Sequence, residues 1–412
     1  MHNLAPMTMR FLILTQYFPP EIGAPQTRLA AFARELMASG HDVEIVTAMP
    51  NHLHGSVFAA YRRKFYCRER WNGARIHRTW IFAAGGTGLL RLLSYLSFSL
   101  SSLVGIALAR RPTYVFVESP PLFLGVSGWF GALFHRSQLL FNVADLWPDS
   151  VKELGVMRDG FAMRAAERLE RWTYRRARYV CSVTDGITER LVGGKALERS
   201  KILTLPNGID PQLFAPRPPD ERLRAEMGLG DERIVLYAGT HGIAQGLETL
   251  LEAAERLRDA GLLFLFVGAG SAKAALQAIA AERKLDNVRF VDPCRLEEMP
   301  RYYSIAFASI VPLRRNELFK GARPSKILPS LASGVPVVYS GEGEGAALIE
   351  DAGGGLVVPP ESPELLATAL LRLRDDPMLH ACAAQRGRAY VMERFSWRTI
   401  VGRWLDELEG AA

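Results

Sequence analysis

Cysteine is scarce in this chain: four occur among 412 residues, at Cys67, Cys181, Cys294 and Cys382. They stand too far apart for a CxxC metal pair or a disulfide framework, and this usage fits a reducing compartment. Metal and nucleotide motifs are missing as well. There is no HExxH, and no apolar strand ends in an Asp-x-Asp that would hold a metal-bound sugar nucleotide. Gly194-Lys195 lacks the upstream glycine and the following Ser or Thr of a P-loop. Gly268-Ala269-Gly270 ends an apolar run, but Lys273 stands where the dinucleotide fingerprint needs its third glycine, which argues against hydride transfer. The first eight residues lack the apolar core of a signal peptide, and Arg10-Phe11-Leu12-Ile13-Leu14 reads as the first strand.

Acidic residues are also sparse locally. Arg62, Arg63, Lys64, Arg68, Arg70, Arg75 and Arg78 face only Glu69 in their stretch, with Tyr61, Phe65, Tyr66, Trp71 and Trp80 interleaved. A second basic cluster, Arg164, Arg168, Arg171, Arg175, Arg176 and Arg178, carries Trp172 and Tyr174. With a net charge of +7, these clusters point to anionic partners. No nucleic-acid motif accompanies them, and cations mixed with aromatics suit a lipid headgroup region; a solvated helix face is the bland alternative. Leu92 to Ala109 is uncharged over about the length of a membrane span. Its five serines, and the strand Tyr114-Val115-Phe116-Val117 that follows, predict a buried or interface-lying helix instead.

What is present is an apolar strand, a Gly- or Pro-bearing loop and a helix, repeated. Phe11–Leu14 leads through Pro19-Pro20-Glu21-Ile22-Gly23-Ala24-Pro25 to a helix with Leu29, Phe32, Ala33 and Leu36 on one face. Strands at Val43–Val46, Val115–Val117, Leu139–Val143 and Tyr179–Val183 continue the series. Ala215-Pro216-Arg217-Pro218-Pro219 suits neither helix nor sheet and reads as a linker. The pattern then restarts at Ile234–Tyr237, with further strands at Leu262–Val267, Val288–Val291, Ala306–Val311, Pro336–Tyr339 and Leu356–Val358. Strands alternating with helices imply parallel sheets covered on both faces. The expected architecture is α/β, with two Rossmann-like doubly wound domains, 1–212 and 213–393, facing a cleft. A C-terminal segment, 394–412, carries an apolar stripe of Ile400, Val401, Trp404 and Leu405 and is expected to pack back on the first domain as a brace.

The loop from Lys320 to Lys326 is the strongest chemical signal. It places Lys320, Arg323 and Lys326, with Gly321, Ala322 and Ser325, before a predicted helix, where backbone N–H groups and the helix dipole already favour an anion. A diphosphate is a natural guest, and a basic surface loop before an ordinary helix is the bland alternative.

Phe18–Ala24, Gly40–Thr47, Asp145-Leu146-Trp147-Pro148-Asp149-Ser150, Pro206–Asp210, Tyr237–Thr240, Val267–Gly270 and the 320–336 loop follow one another in an order that resembles the family 4 retaining glycosyltransferases of the GT-B fold. The Asp-Leu-Trp-Pro and Pro-Ser-Lys versions look like the fucosyl and N-acetylfucosaminyl transferase branch of bacterial surface-polysaccharide synthesis. That resemblance implies a metal-independent, retaining hexosyl or deoxyhexosyl transfer, without cofactor, from a UDP- or GDP-sugar to a lipid-linked or oligosaccharide acceptor. It also implies a cytoplasmic enzyme, peripheral at the inner face of the membrane, with no nucleic-acid partner.

Within that resemblance, the cations of this loop are expected to meet the diphosphate, Lys326 first with Arg323 and Lys320 assisting, and backbone donors near Gly23 and Ala322 to complete the cradle. Thr240, His241, Gly242, Gly321 and Ser325 join the donor side. Asp145, at the end of its strand, orients an acceptor hydroxyl or contacts the donor sugar, or else caps a turn. Glu21, Asn51 and His52 are acceptor-side candidates, Glu21 reading otherwise as a solvent-exposed loop acid, and no metal site is implied. Two departures stand out. The glutamates the family places eight positions apart are Gly321 and Pro329 here, and its phosphate-binding lysine is Gln245. A same-fold sugar-nucleotide 2-epimerase and a non-catalytic sugar-nucleotide-binding subunit are the competing readings.

Overall fold

The computed structural model describes residues 8–21, 23–51, 55–84, 89–149, 152 and 160–411. It divides into two compact units, residues 1–206 with 400–412, and residues 207–399. Residues 207–212 thus go with the second unit. Ile209 N–H donates to the Phe395 carbonyl at 2.8 Å, Trp397 N–H donates back to Ile209 at 3.2 Å, and a Cβ on Gly208 would strike the Trp397 ring at 2.7 Å.

The first unit has eight strands: β1 (Arg10–Leu14), β2 (Asp42–Ala48), β3 (Tyr66–Trp71), β4 (Ala74–Thr79), β5 (Tyr114–Ser119), β6 (Gln138–Val143), β7 (Tyr179–Ser182) and β8 (Ile202–Thr204). Their order is β3-β4-β2-β1-β5-β6-β7-β8, parallel except for β3. Successive residues of a strand face opposite sides of the sheet. Phe116 of β5 meets Phe32 of helix Ala24–Ala38 and Trp404 of helix Trp397–Ala411, at 4.9 and 6.2 Å between ring centroids. Val117, its neighbour, faces helix Leu124–His135, whose Gly128 comes so close that a Cβ would lie 2.3 Å from the valine. Helices Leu89–Leu108 and Phe161–Arg176 flank Leu124–His135 on that same side.

The β3–β4 hairpin was not expected. The basic aromatic stretch around it forms strands, with Asn72 and Gly73 at φ 45° and 91° making the two-residue turn that suits such a pair. Its charges are partly inward. Arg78 is buried on Glu69 at 2.7 Å and on the Pro19 carbonyl, while Arg68 and Arg70 point out from the edge strand. Charged residues on an edge discourage sheet-to-sheet pairing.

In the second unit β9 (Arg233–Ala238), β10 (Leu262–Val267), β11 (Val288–Val291), β12 (Ala306–Pro312), β13 (Val337–Ser340) and β14 (Gly355–Val358) form a parallel sheet in the order β11-β10-β9-β12-β13-β14. Its strands are nearly continuous apolar runs, as burial on both faces requires. One face buries Val235, Phe264, Phe266, Leu250, Leu366 and Leu370 together. The order reverses at β9 and β12, the place where open α/β sheets receive ligands at their strand C-termini.

Candidate functional site

The loops after β9 and β10 are drawn together by glycine. Gly239 N–H donates to Val267 O and His241 N–H to Ala269 O, both at 2.9 Å. A Cβ on Gly268, which has φ +146°, would sit 2.0 Å from the Gly239 carbonyl, and one on Gly270 would sit 2.2 Å from that of His241. Only glycine permits both the backbone angle and the approach.

His241 is fully buried by this packing, against Tyr237, Phe266 and Phe290. Neither ring nitrogen has a hydrogen-bond partner. Burial, and then the charges of Lys273 and Lys326, lower its pKa to about 4, so the ring is neutral near pH 7. A buried polar group left unpaired costs about 1–3 kcal/mol, which a ligand or water can recover.

The three cations of the 320–326 loop have different surroundings. Lys320 is held by Glu317 at 2.6 Å and Glu342 at 3.7 Å. The Arg323 guanidinium lies over the Phe395 ring, 5.1 Å from its centroid. Lys326 is half-buried: its stem crosses Gly239, where a Cβ would be 2.4 Å from Cε, and Nζ lies 5.4 Å from the Tyr237 ring centroid. No carboxylate of the described residues comes within 4 Å of it, and desolvation brings its pKa down to about 8. Nearby Lys273 is instead fixed by Asp292 at 2.7 Å and by the carbonyls of Gly268 and Val291.

The other donor-side candidates lie on these loops. Thr240 is exposed, and its carbonyl takes the Tyr237 hydroxyl at 2.5 Å. Gly242 opens the turn Ile243–Gln245, and Gln245 folds its amide oxygen back to within 2.7 Å of where a Gly242 Cβ would be. Gly321 and Ala322 follow the short helix Glu317–Lys320, and Ala322 already gives its N–H to Phe319 O at 3.0 Å. Ser325 is exposed beside Lys326.

In the first unit Glu21 and Asn51 come together. The Glu21 carboxylate is buried, accepting the Asn51 N–H at 2.7 Å and the Phe18 N–H at 3.3 Å, so it staples the loops after β1 and β2. Gly23 precedes helix Ala24–Ala38, and a Cβ there would meet the Gln26 amide at 2.5 Å. Asp145 is exposed two residues past β6, with its carbonyl receiving the Trp147 N–H at 2.9 Å. His52 lies outside the described residues.

A Glycosyl transferase 4-like domain matches residues 23–208, and a Glycosyl transferases group 1 domain matches residues 232–376. The chain belongs to the GT-B glycosyltransferases. Over 98% of its length it is 25% identical to WcaI of Escherichia coli (strain K12), all of which it covers, and whose name places it among glycosyl transferases of colanic acid biosynthesis. A GDP-mannose-dependent phosphatidylinositol monomannoside mannosyltransferase of Mycolicibacterium smegmatis is 29% identical over 50% of this chain and 56% of its own length. Among solved structures, sucrose-phosphate synthase of Thermosynechococcus elongatus superposes with a TM-score of 0.78 at 21% identity, over 98% of this chain and 100% of that one. Anabaena HepE in complex with UDP-glucose gives 0.74 at 16% identity, over 98% and 100%.

Two residues of this glycosyltransferase escaped sequence reasoning. Gln16, just past β1, and Gln26, in the first turn after Gly23, are each 1% exposed, and neither side-chain amide has a partner. A polar residue directly after a buried strand was the available cue for Gln16. Gln26 had none, since helix position alone does not show which way a first-turn amide points.

Proposed function

We propose that this glycosyltransferase is a retaining enzyme that moves a sugar from a nucleoside-diphosphate donor to a lipid-linked or oligosaccharide acceptor in cell-surface polysaccharide synthesis. The observation that carries the donor half is Lys326, a desolvated ammonium with no carboxylate on it, set where β9 and β12 diverge. A diphosphate supplies the missing counter-charge. Because that charge grows as the sugar leaves, a pre-positioned cation lowers the barrier and not merely the donor's dissociation constant. Arg323 adds a second cation from the same loop, which makes the reaction independent of a metal.

His241, neutral and unpaired, supplies one donor and one acceptor to whatever lies at the glycine loops. Asp145 is the exposed carboxylate at its strand end and orients the acceptor hydroxyl. A front-face transfer, in which the leaving phosphate takes the acceptor proton, requires no further base. The lipid-linked acceptor is supported by the phosphatidylinositol monomannoside in the mannosyltransferase's name, and a place at the inner membrane face by the two basic aromatic stretches and the cysteine usage that suits a reducing compartment. The Asp-Leu-Trp-Pro and Pro-Ser-Lys sequences favour a fucosyl or N-acetylfucosaminyl donor sugar.

Nucleotide release from UDP- and GDP-sugars, measured with and without a lipid extract, tests this reading. Release that depends on the extract supports transfer. Interconversion of the donor without acceptor would identify a 2-epimerase, and binding without turnover a non-catalytic subunit.

A further inference from the structure

The helix Leu89–Leu108 is committed to the fold on one face and bare on the other. Its inner face buries Ser94, Phe98, Ser102 and Ile106. Ser101 bonds to Thr79 Oγ1 at 3.1 Å and Ser99 to Ser127 Oγ at 2.7 Å, while Gly105 lies so close to β2 that a Cβ would meet Val46 at 2.8 Å. These contacts fix the helix against the sheet, so although residues 90–108 are long and apolar enough to cross a bilayer, they do not form an independent span. Its outer face exposes Leu93, Leu96, Leu100, Val104 and Leu108, a stripe at helical spacing with Leu100 70% exposed.

The next helix continues this surface. Leu124–His135 turns Gly125, Gly128 and Gly131 inward, where a Cβ on each would strike Thr173, Val117 and Ile106 in turn, and exposes Phe130, Leu133 and Phe134. Beside it, Phe161–Arg176 presents Arg164, Arg168, Arg171 and Arg175 on one exposed face, at i, i+4, i+7 and i+11. Of its two acids, Glu170 is buried on Lys195 at 2.8 Å and half-buried Glu167 makes no ion pair within 4 Å with any of the four, so the row keeps an excess of positive charge. The Trp129 and Trp172 rings, 5.3 Å apart with Arg176 over both, join the apolar helix to the basic one.

We infer that the outer face of these three helices is a monotopic docking surface for an anionic lipid bilayer. The leucine and phenylalanine stripes enter the headgroup–acyl boundary, and the arginine row lies along the phosphates. Charge complementarity selects this occupant. A second copy of the chain would bring two arginine rows together, and the bulk of the patch, bare leucine and phenylalanine rimmed by cations and indoles, is the composition of an interfacial helix. The inference deepens the lipid-linked acceptor proposed above, but its test reads binding alone and so can fail while donor turnover stands.

The test is flotation of the full-length protein with protein-free vesicles of phosphatidylcholine alone or with about a third phosphatidylglycerol. Wild type should float with the anionic vesicles and at least tenfold less with the neutral ones. L100E/F134E should lose at least tenfold in partitioning. A variant with Arg164, Arg168, Arg171 and Arg175 changed to Gln should lose the preference for anionic lipid. All these positions are exposed, and unchanged circular dichroism and nucleotide-sugar turnover on a soluble acceptor would show that the variants fold. Three results would overturn the proposal: equal flotation of wild type and both variants; no flotation of wild type, with the protein held instead only by native membranes through a protein partner; or a dimer in sedimentation velocity that L100E/F134E dissociates while wild type ignores vesicles.

Discussion

Replacing Lys326 with Met should make the free protein more stable and the enzyme far less active. The ammonium is moved from an ordinary pKa of 10.5 to about 8 by desolvation. That shift corresponds to roughly 3 kcal/mol against the charged form, reduced to about 1–2 kcal/mol by the solvent that reaches a half-buried side chain. Losing the contact with the Tyr237 ring gives back about 0.5–1 kcal/mol, and Met fills most of the volume of the lysine stem. The net gain is about 1 kcal/mol, or a rise in Tm of roughly 2–4 °C. Against this, removing a cation from the leaving diphosphate should lower kcat about 10²–10³-fold. Calorimetry on the free protein and nucleotide release at saturating donor measure the two effects separately. A K326M protein that is less stable, with turnover within a few-fold of wild type, would refute the account, because it would make Lys326 a structural residue.

Further outcomes follow from the same geometry. Since the folded-state pKa of Lys326 lies below its unfolded value, the unfolded chain binds more protons between about pH 8 and 10.5. Stability should rise over that window and K326M should lack the rise, whereas donor affinity should fall as pH rises through about 8; titration by denaturant and by calorimetric binding checks each. For His241, lowered to about 4, the same sign applies between roughly pH 4 and 6.5. H241F, which suits the ring cluster, should remove that acid sensitivity and lower donor turnover; unchanged turnover would leave the histidine without a role at the donor. Gly268→Ala, whose Cβ would meet Gly239 O at 2.0 Å, should spread the two glycine loops and raise the donor KM, with intact circular dichroism. Trp404→Ala should cost the first unit about 3–5 kcal/mol, since its indole is wholly buried against Phe11, Phe32 and Phe116; hydrogen exchange in β1 and β5 reads this directly.

The doubled strand–loop–helix pattern was legible because its strands are unbroken apolar runs and its helices carry apolar stripes at helical spacing. The β3–β4 hairpin was hidden by its own charges: seven cations around one acid read as a surface stretch, although Asn72-Gly73 marked the turn. In the 320–326 loop the cations were visible but their division was not. Glu342 reaches Lys320 from beyond β13, and Phe395 lies under Arg323 from much further along the chain. Lys326 is desolvated by packing on Gly239 and Tyr237, which local sequence does not reveal. The two opposite faces of helix Leu89–Leu108 were equally illegible, since serines that looked like breaks in a span turned out to be its anchors to Thr79 and Ser127.

The central claim is transfer from a nucleoside-diphosphate sugar through Lys326. It is tested most directly by incubating wild type and K326M with labelled UDP- and GDP-sugars and a bacterial lipid extract, then measuring label in the lipid phase and free nucleoside diphosphate together. The account predicts that wild type moves label to lipid with one nucleoside diphosphate released per sugar, and that K326M loses at least a hundredfold of both. Label that never leaves the aqueous phase with any donor, or equal transfer by both proteins, would contradict it.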